Sequence, residues 1–287
     1  MEKYLYQHKP ACIATVILLW FSLSVVSAQE KDSISNAGTQ SQATSKHGLY
    51  TGLGYGSNML LSGISKSSDQ PYLSFDLLYS YNQHWIVSAV FYNLPGVDPA
   101  IAFYDLSAGY NRTFNSWLDA GVSISNYSTA KDLQEEYFGN FTYLTASTGL
   151  DWRILYTQFI YSAILNQEGN GYLQISNSHF FSTPDIFKGK AYFTFDPSVN
   201  MVLGDKYAKE EVVTQTGMGG NSTTETATIY SSSFGLLDME FSLPISFNFG
   251  KTTLELEPLY YLPIQDDPDF PAERDMFLFL NLYWKIL

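Results

Sequence analysis

Residues 238–259 read DMEFSLPISFNFGKTTLELEPL. Large apolar residues alternate there with acidic or small polar ones on both sides of the dipeptide Gly250-Lys251. A period of two is typical of a β-strand with two unlike faces, and helical spacing would not produce it. Two such strands joined by a tight turn that contains glycine indicate a β-hairpin. We therefore predict that every second side chain of this hairpin faces away from an apolar environment.

The same alternation continues through the rest of the chain. Between Ala102 and Phe114 the even positions are mostly apolar, and the odd positions include Asp, Ser, Gly and Asn. Most of the stretches reach the ~9–11 residues that a tilted strand needs to cross a bilayer. The pattern predicts twelve strands, at residues 49–58, 71–82, 85–94, 101–114, 117–127, 141–152, 155–165, 172–181, 190–203, 228–249, 252–264 and 276–287.

The lengths of the connections separate a soluble β-sandwich from a membrane barrel. Tight turns follow even-numbered strands, at 83–84, 115–116, 153–154 and 250–251, and only the link 182–189 is longer. Longer loops follow odd-numbered strands, including residues 204–227, for which we expect a mobile extracellular loop. Short periplasmic turns and long outer loops are typical of outer-membrane barrels. We predict an all-β fold, a single transmembrane antiparallel up-and-down barrel over residues 49–287.

The N-terminus indicates export. Lys3 and Lys9 precede an apolar run from Ala11 to Val26, which is too short for a membrane-spanning helix of ~20 residues. We predict a signal peptide over residues 1–28 and a flexible periplasmic segment over 29–48. The formal net charge of −13 argues against nucleic acid as a partner.

The architecture resembles that of uncharacterised outer-membrane β-barrel proteins of Bacteroidota. The resemblance also rests on the junction Ser27-Ala28-Gln29 and on Asp32-Ser33-Ile34, which is similar to the O-glycosylation sites of that group. The C-terminal stretch 276–287 resembles the terminal strand by which such barrels are recognised for insertion, although it ends in Leu287. The resemblance implies the fold and an outer-membrane location, and it implies no activity.

Candidate catalytic residues are few. Outer-membrane phospholipases are twelve-stranded barrels with a Ser-His-Asn site, and within the predicted strands His179 has two serines close by in the sequence, Ser176 and Ser178. The flanking pattern of that family is missing, so a polar strand end is the favoured interpretation. The histidines also lack metal-ligand spacing. We therefore predict no catalytic residue, metal or cofactor, and we keep a lipid hydrolase as the least favoured function.

Carboxylates are the chemical feature for which the sequence predicts an orientation, toward the lumen. Only Lys285 is a clear inward base within a strand. An acidic lumen would favour cations, whereas a plugged interior would hold the acids in hydrogen bonds to Tyr and Ser, and the sequence leaves both open. By strand parity the inward acids are Asp76, Asp105, Asp119, Asp151, Asp196, Asp238, Glu240, Glu255 and Glu257.

These features predict passage or binding of a small neutral or cationic solute by a barrel that contacts outer-membrane lipid. The alternative is a structural or accessory barrel that works with partner outer-membrane proteins. The hairpin also predicts a strand distortion: with the turn at 250–251, Pro244 lies opposite Glu257 and Pro258 opposite Leu243, so adjacent pairs lack a backbone donor.

Overall fold

The computed structural model describes residues 46–61, 64–65, 67–135, 137–165, 171–216, 223–264 and 274–287. The predicted signal peptide, residues 1–28, and the predicted segment 29–48 up to residue 45 lie outside these ranges. Among the described residues, no helix has the length and apolar character to cross a membrane.

Twelve antiparallel strands form the wall, and β1 pairs with β12 to close it. This confirms the predicted fold class. Three strands have two segments each, β8, β9 and β10. In chain order the strands are β1 (His47–Gly56), β2 (Tyr72–Tyr81), β3 (Trp85–Asn93), β4 (Phe103–Asn115), β5 (Leu118–Thr129), β6 (Phe141–Asp151), β7 (Tyr156–Ile164), β8 (Gly171–Ser178 and Phe181–Ser182), β9 (Ala191–Phe195 and Ser198–Thr216), β10 (Thr223–Ser242 and Ile245–Phe249), β11 (Thr252–Pro263) and β12 (Asp275–Lys285).

The two ends of the barrel differ as the connection lengths predict. One rim has the turns 82–84, 116–117, 152–155 and 250–251 together with both ends of the described chain. We call this the turn end, and the opposite rim, where the longer connections lie, the loop end. Gly250 has φ +59°, a left-handed conformation that suits glycine in a two-residue turn. β1 begins at His47, so the last two residues of the predicted segment 29–48 belong to the wall.

The two faces of the wall differ in polarity. Alternate residues of each strand are exposed and apolar, as in β12, where Leu278, Leu280 and Leu282 are each more than 40% exposed while Phe279 and Asn281 between them are buried. An outward apolar surface with a polar inward face is the arrangement of a membrane barrel, in which lipid covers the outer side chains. The hydrophobic effect therefore acts on the outside of this wall, and the inside is free to carry polar groups.

The prediction of a loop over residues 204–227 is wrong for most of that range. β9 and β10 continue as a paired hairpin up to Thr216 and Thr223. Their neighbours in the wall pair with them only as far as Leu203, on the β8 side, and Asp238, on the β11 side. The Val and Thr residues of this stretch favour extended structure, and glycines in the sequence led to the loop assignment.

A line of strand breaks crosses the wall from β8 to β11. β8 breaks after Ser178, β9 between Phe195 and Ser198, and β10 between Ser242 and Ile245. One backbone hydrogen bond to a proline carbonyl bridges each break, with N···O distances of 3.1 Å for His179 to Pro197, 3.2 Å for Asp196 to Pro244 and 3.1 Å for Leu243 to Pro258. We call these three prolines and the breaks beside them the proline line.

The proline line interrupts the ladder without shifting it. Ser242 pairs with Leu259 before the break in β10, and Ile245 pairs with Leu256 after it, so the register is the same on both sides. A proline nitrogen cannot donate to the ladder, which accounts for the missing pairs. The break at Pro197 on β9 was not predicted from the sequence, because the effect of this proline depends on which strand lies beside it.

Candidate functional site

The lumen is the candidate site, and its loop end is filled by apolar side chains. A continuous buried cluster includes Tyr92, Phe103, Tyr127 and Phe141, which come from the loop-end parts of β3 to β6. It reaches across to Phe277 and Phe279 of β12 together with Leu259 and Tyr261 of β11. We call this cluster the aromatic plug. It lies at the loop end of the lumen and includes residues from both of these parts of the wall.

Two connections of the loop end complete the aromatic plug. A single 3₁₀ turn, Lys131–Leu133, places Leu133 in the plug, and Phe138 follows in the same connection. The ring of Phe138 stacks on that of Phe103 with centroids 4.8 Å apart. Leu94, at the start of another connection, is fully buried in the same cluster. The sequence signal for this plug was present, since aromatic residues recur at inward positions near the loop ends of β3 to β6, as at Tyr92, Phe103 and Phe141.

Below the plug the inward face is polar and built from small residues. Buried serines recur on neighbouring strands, and some of them join in cross-strand hydrogen bonds, such as Ser198 to Ser242 at 2.9 Å and Thr145 to Ser162 at 3.2 Å. Hydroxyl groups both donate and accept, so they can solvate a neutral or charged guest and also bond to one another. This part of the lumen is chemically suited to a small polar solute.

The predicted acids all occupy inward positions of their strands, with one at a strand break. Asp105, Asp238, Glu240 and Glu257 are buried, with 4%, 1%, 1% and 8% of their surface exposed. Asp76, Asp119, Asp151, Asp196 and Glu255 are partly buried. Asp196 lies in the break of β9.

The acids have different local partners. Ser246 donates to Glu255 at 2.8 Å, and Asn200 donates to Glu240 at 3.3 Å. Asp151 instead accepts the backbone N–H of Arg153 at 2.7 Å, which gives it a role in the turn. Whether the acids line a path for solute stays a prediction.

The acids are unevenly distributed around the barrel. Asp196, Asp238, Glu240, Glu255 and Glu257 all belong to β9, β10 and β11, beside the proline line. The inward base predicted at Lys285 lies at the turn end, where its Nζ is 5.8 Å from the centre of the Tyr50 ring. Acidic side chains therefore concentrate on one wall, and three of them, Asp238, Glu240 and Glu257, lie between the aromatic plug and the proline line.

The structure separates the residues considered for a hydrolase. Ser176 and Ser178 are buried on the inward face of β8. His179 is exposed, and its Nδ1 donates to the backbone carbonyl of Ile154 at 2.6 Å. A nucleophile and its base need hydrogen-bond contact, so neither serine forms a catalytic pair with His179 in this arrangement. Among the described residues, no group of three or more His, Cys, Asp or Glu side chains converges at metal-binding distance.

A shallow groove of about 550 Å³ lies outside the lumen, on the lipid-facing surface of β2 to β5. Leu77, Val87, Leu106 and Ile124 line it, and the small residue Ala89 forms part of its floor. Each of the four larger side chains is more than a third exposed. The apolar lining of this groove suits contact with acyl chains, as expected for the outer face of a membrane barrel.

No family model and no curated protein matches this chain. Among solved structures, it is similar to the KdgM porin, with 8% sequence identity over 82% of this chain and 98% of that chain and a TM-score of 0.48. It is similar to an outer membrane channel from Pseudomonas putida F1, with 11% identity over 88% of this chain and 100% of that chain and a TM-score of 0.48. It is also similar to LpxR from Salmonella typhimurium, with 9% identity over 82% of this chain and 99% of that chain and a TM-score of 0.40.

Proposed function

We propose that this chain is an outer-membrane barrel through which small neutral or cationic solutes pass, and that the aromatic plug holds it closed in the state described here. The observation that carries the proposal is the charge of the inward face, on which Asp238, Glu240 and Glu257 are buried on one wall and Lys285 lies only at the turn end. Rings of acidic side chains select cations over anions in pores.

The aromatic plug is the reason for proposing that the barrel is gated. The backbone hydrogen bond from Ala130 N to Ala102 O, at 2.9 Å, joins the connection that contains Leu133 and Phe138 to the neighbouring one. A second bond, from Leu133 N to Ala130 O at 2.9 Å, closes the turn within the connection. The described residues of this connection lie between β5 and β6 and outside their strand ladder, so their displacement leaves the strand pairing of the wall intact. Displacement would join the polar part of the lumen to the outside.

The experiment is a conductance measurement on the full chain in planar bilayers. We expect small, infrequent openings for the native barrel, and larger conductance for the double variant Leu133→Ala/Phe138→Ala, because the plug loses its moving part. In a salt gradient the reversal potential should indicate cation preference. Glu257→Gln should reduce that preference without changing open time.

Phe114→Ala is the matched control, since Phe114 is 57% exposed on the outward face next to a turn. It should leave conductance and selectivity as in the native barrel. Anion preference, or a plug variant that folds and still gives a sealed bilayer, would contradict the proposal.

Residues 1–28 are proposed as the signal peptide of this barrel, with export to the periplasm before insertion. The charged start and short apolar run of the sequence support it. Membership of the Bacteroidota barrel group is part of the same proposal. N-terminal sequencing of the mature protein from its native outer membrane should begin at Gln29, and mass spectrometry should find a glycan on Ser33.

The accessory role has one observation in its favour, the paired hairpin of β9 and β10 that extends beyond Leu203 and Asp238. Within the described residues, the edges of this two-stranded extension pair with no neighbouring strand, and such edges can pair with a partner protein. Crosslinking in native membranes from a residue in the hairpin tests this. A stoichiometric partner protein would support the accessory role, and crosslinks to the barrel alone would not.

A further inference from the structure

We propose that Asp238, Glu240, Asn200 and Gln174 form a binding site for a divalent cation of the Ca²⁺ type, on the inward face of β8 to β10 beside the aromatic plug. The site is a property of the folded wall. It does not require that the barrel conduct, and its test uses binding and not transport.

Cross-strand pairing brings these residues together. Asn200 of β9 is the direct partner of Glu240 of β10, and Ser176 of β8 is the partner of Asn200 on the other side. One row nearer to the loop end, Val202 lies between Gln174 and Asp238. Directly paired side chains on one face of a sheet have Cβ atoms ~4.5–5.5 Å apart, so two adjacent rows form one patch.

The patch is removed from bulk water. Asp238 and Glu240 are each 1% exposed, Gln174 is 2% exposed and Asn200 is 6% exposed. The amide nitrogen of Asn200 lies 3.3 Å from Oε2 of Glu240 and donates to it. The buried amide of Asn200 therefore reaches Glu240 from the neighbouring strand β9.

Oxygen atoms in this patch have unused acceptor capacity. Oδ1 of Asp238, Oε1 of Glu240, Oδ1 of Asn200 and Oε1 of Gln174 have no hydrogen-bond partner in the part of the chain that the structure describes. Oγ of Ser176 is also buried without a partner there. Buried polar groups are normally bonded, and a buried carboxylate without a counter-charge is costly. Four unsatisfied acceptors together indicate a cationic guest.

The types of ligand atom in the patch indicate which cation would bind. Two carboxylates, two amide carbonyls and a serine hydroxyl are all hard oxygen ligands, which suit Ca²⁺, with six to eight ligands in flexible geometry, better than softer transition metals. Two carboxylates match the charge of a divalent ion. Sites with few charged ligands bind Ca²⁺ weakly, with dissociation constants on the order of 10⁻⁴–10⁻³ M.

Tyr261 provides a probe. It is the cross-strand partner of Glu240 on β11 and is 3% exposed within the aromatic plug. Terbium ions replace Ca²⁺ at oxygen sites and luminesce when a nearby tyrosine is excited. Titration of the full-length barrel in detergent with Tb³⁺, followed by displacement with CaCl₂, should give a saturable signal that Tyr261→Phe reduces without loss of Ca²⁺ binding measured by calorimetry.

Asp238→Asn and Glu240→Gln should each weaken Ca²⁺ binding by about tenfold or more, because each removes a charged ligand. Asp105→Asn is the matched control, since Asp105 is an equally inward, 4% exposed acid with an unpartnered Oδ1 on the distant strand β4. It should leave the affinity unchanged. Heat-modifiable migration on gels checks that each variant is folded.

The absence of saturable Tb³⁺ or Ca²⁺ binding to the native barrel would overturn the proposal, and this measurement needs no variant. Equal affinity in native protein and in Asp238→Asn/Glu240→Gln also overturns it. If the two carboxylates instead share a proton, the native barrel will gain no thermal stability from CaCl₂ beyond that from NaCl of the same ionic strength. A selective upward shift of the unfolding midpoint with CaCl₂, lost in the double variant, supports the site.

Discussion

The hydroxyl of Tyr156 donates to both carboxylate oxygens of Asp119, at 3.0 Å and 3.1 Å, across the inward face near the turn end of the barrel. Gly149 of β6 is the cross-strand partner of Asp119 and lies beneath this contact. A side chain at position 149 would overlap the Tyr156 hydroxyl and would lie 2.6 Å from both oxygens of Asp119. The bond and the glycine therefore depend on each other.

Gly149→Val should destabilise the barrel, because the new side chain displaces the Tyr156 hydroxyl and leaves part of the Asp119 carboxylate unsatisfied. We expect a loss of about 1–3 kcal/mol, the cost of an unmade buried hydrogen bond. Urea unfolding in detergent, followed by tryptophan fluorescence, measures it. Gly139→Ala is the control, since nothing lies within 4 Å of a Cβ at that position. Equal stability of the two variants would contradict the argument.

Phe141→Ala should lower stability more than removal of an exposed ring, because Phe141 is 5% exposed in the aromatic plug and stacks on Tyr127 with centroids 5.2 Å apart. Buried Phe to Ala changes cost about 3–5 kcal/mol. The control Phe187→Ala changes a ring that is 67% exposed between β8 and β9 and should be close to neutral. The same unfolding assay measures both variants. A small loss of stability in Phe141→Ala would show that the plug is loosely packed.

Leu280→Arg should destabilise insertion by about 2–4 kcal/mol, the cost of an arginine on the lipid face near the midplane of a barrel. Leu280 is 43% exposed on the outward face of β12, midway along the strand. Phe249→Arg, beside the turn at Gly250, should cost only about 0–1 kcal/mol because the rim lies near the headgroups. Equal costs in reversible folding into lipid vesicles would contradict the assignment of this face to the membrane interior.

The proline line should be visible in backbone amide exchange. We expect the amides of Leu243 and Asp196 to exchange faster than those of Ser246 and Phe247, because a single hydrogen bond beside a break has no neighbouring ladder bonds to support it. Residue-resolved NMR of the deuterium-exchanged barrel in micelles provides the rates. Uniform protection across β9 and β10 would show that the breaks do not open.

Shortening the hairpin should leave the barrel folded. Beyond the pair Asp205 and Phe234, β9 and β10 pair with each other, and their neighbours pair only with positions nearer to the turn end. Joining Asp205 to Phe234 through Asn-Gly therefore removes no bond of the closed wall. Heat-modifiable migration equal to that of the native chain is the expected result. Failure to fold would show that the hairpin is needed for assembly.

Much of the wall could be predicted from the sequence because the two faces of each strand meet different media. Leu254 and Leu256 are exposed to lipid while Glu255 between them faces the lumen, and this difference is written residue by residue in the alternation. The tight turn at Gly250 then sets the register of β10 and β11. The hairpin beyond Leu203 was not predictable in the same way, since the glycines in the sequence Gly217-Met218-Gly219-Gly220 indicated a long loop.

The sequence by itself determined the strands, their faces, the even strand number and the inward direction of the acids, since each depends on a period of two and on local turn chemistry. Only the tertiary structure decided which inward residues meet. Asn200 and Glu240 are 40 positions apart and come together because β9 and β10 pair in one register. Leu133 and Phe103 fill the loop end because closure of the wall brings their elements over the same lumen. Alternation along a strand carries no information about distance across a barrel, so the plug and the proposed cation site required the folded wall.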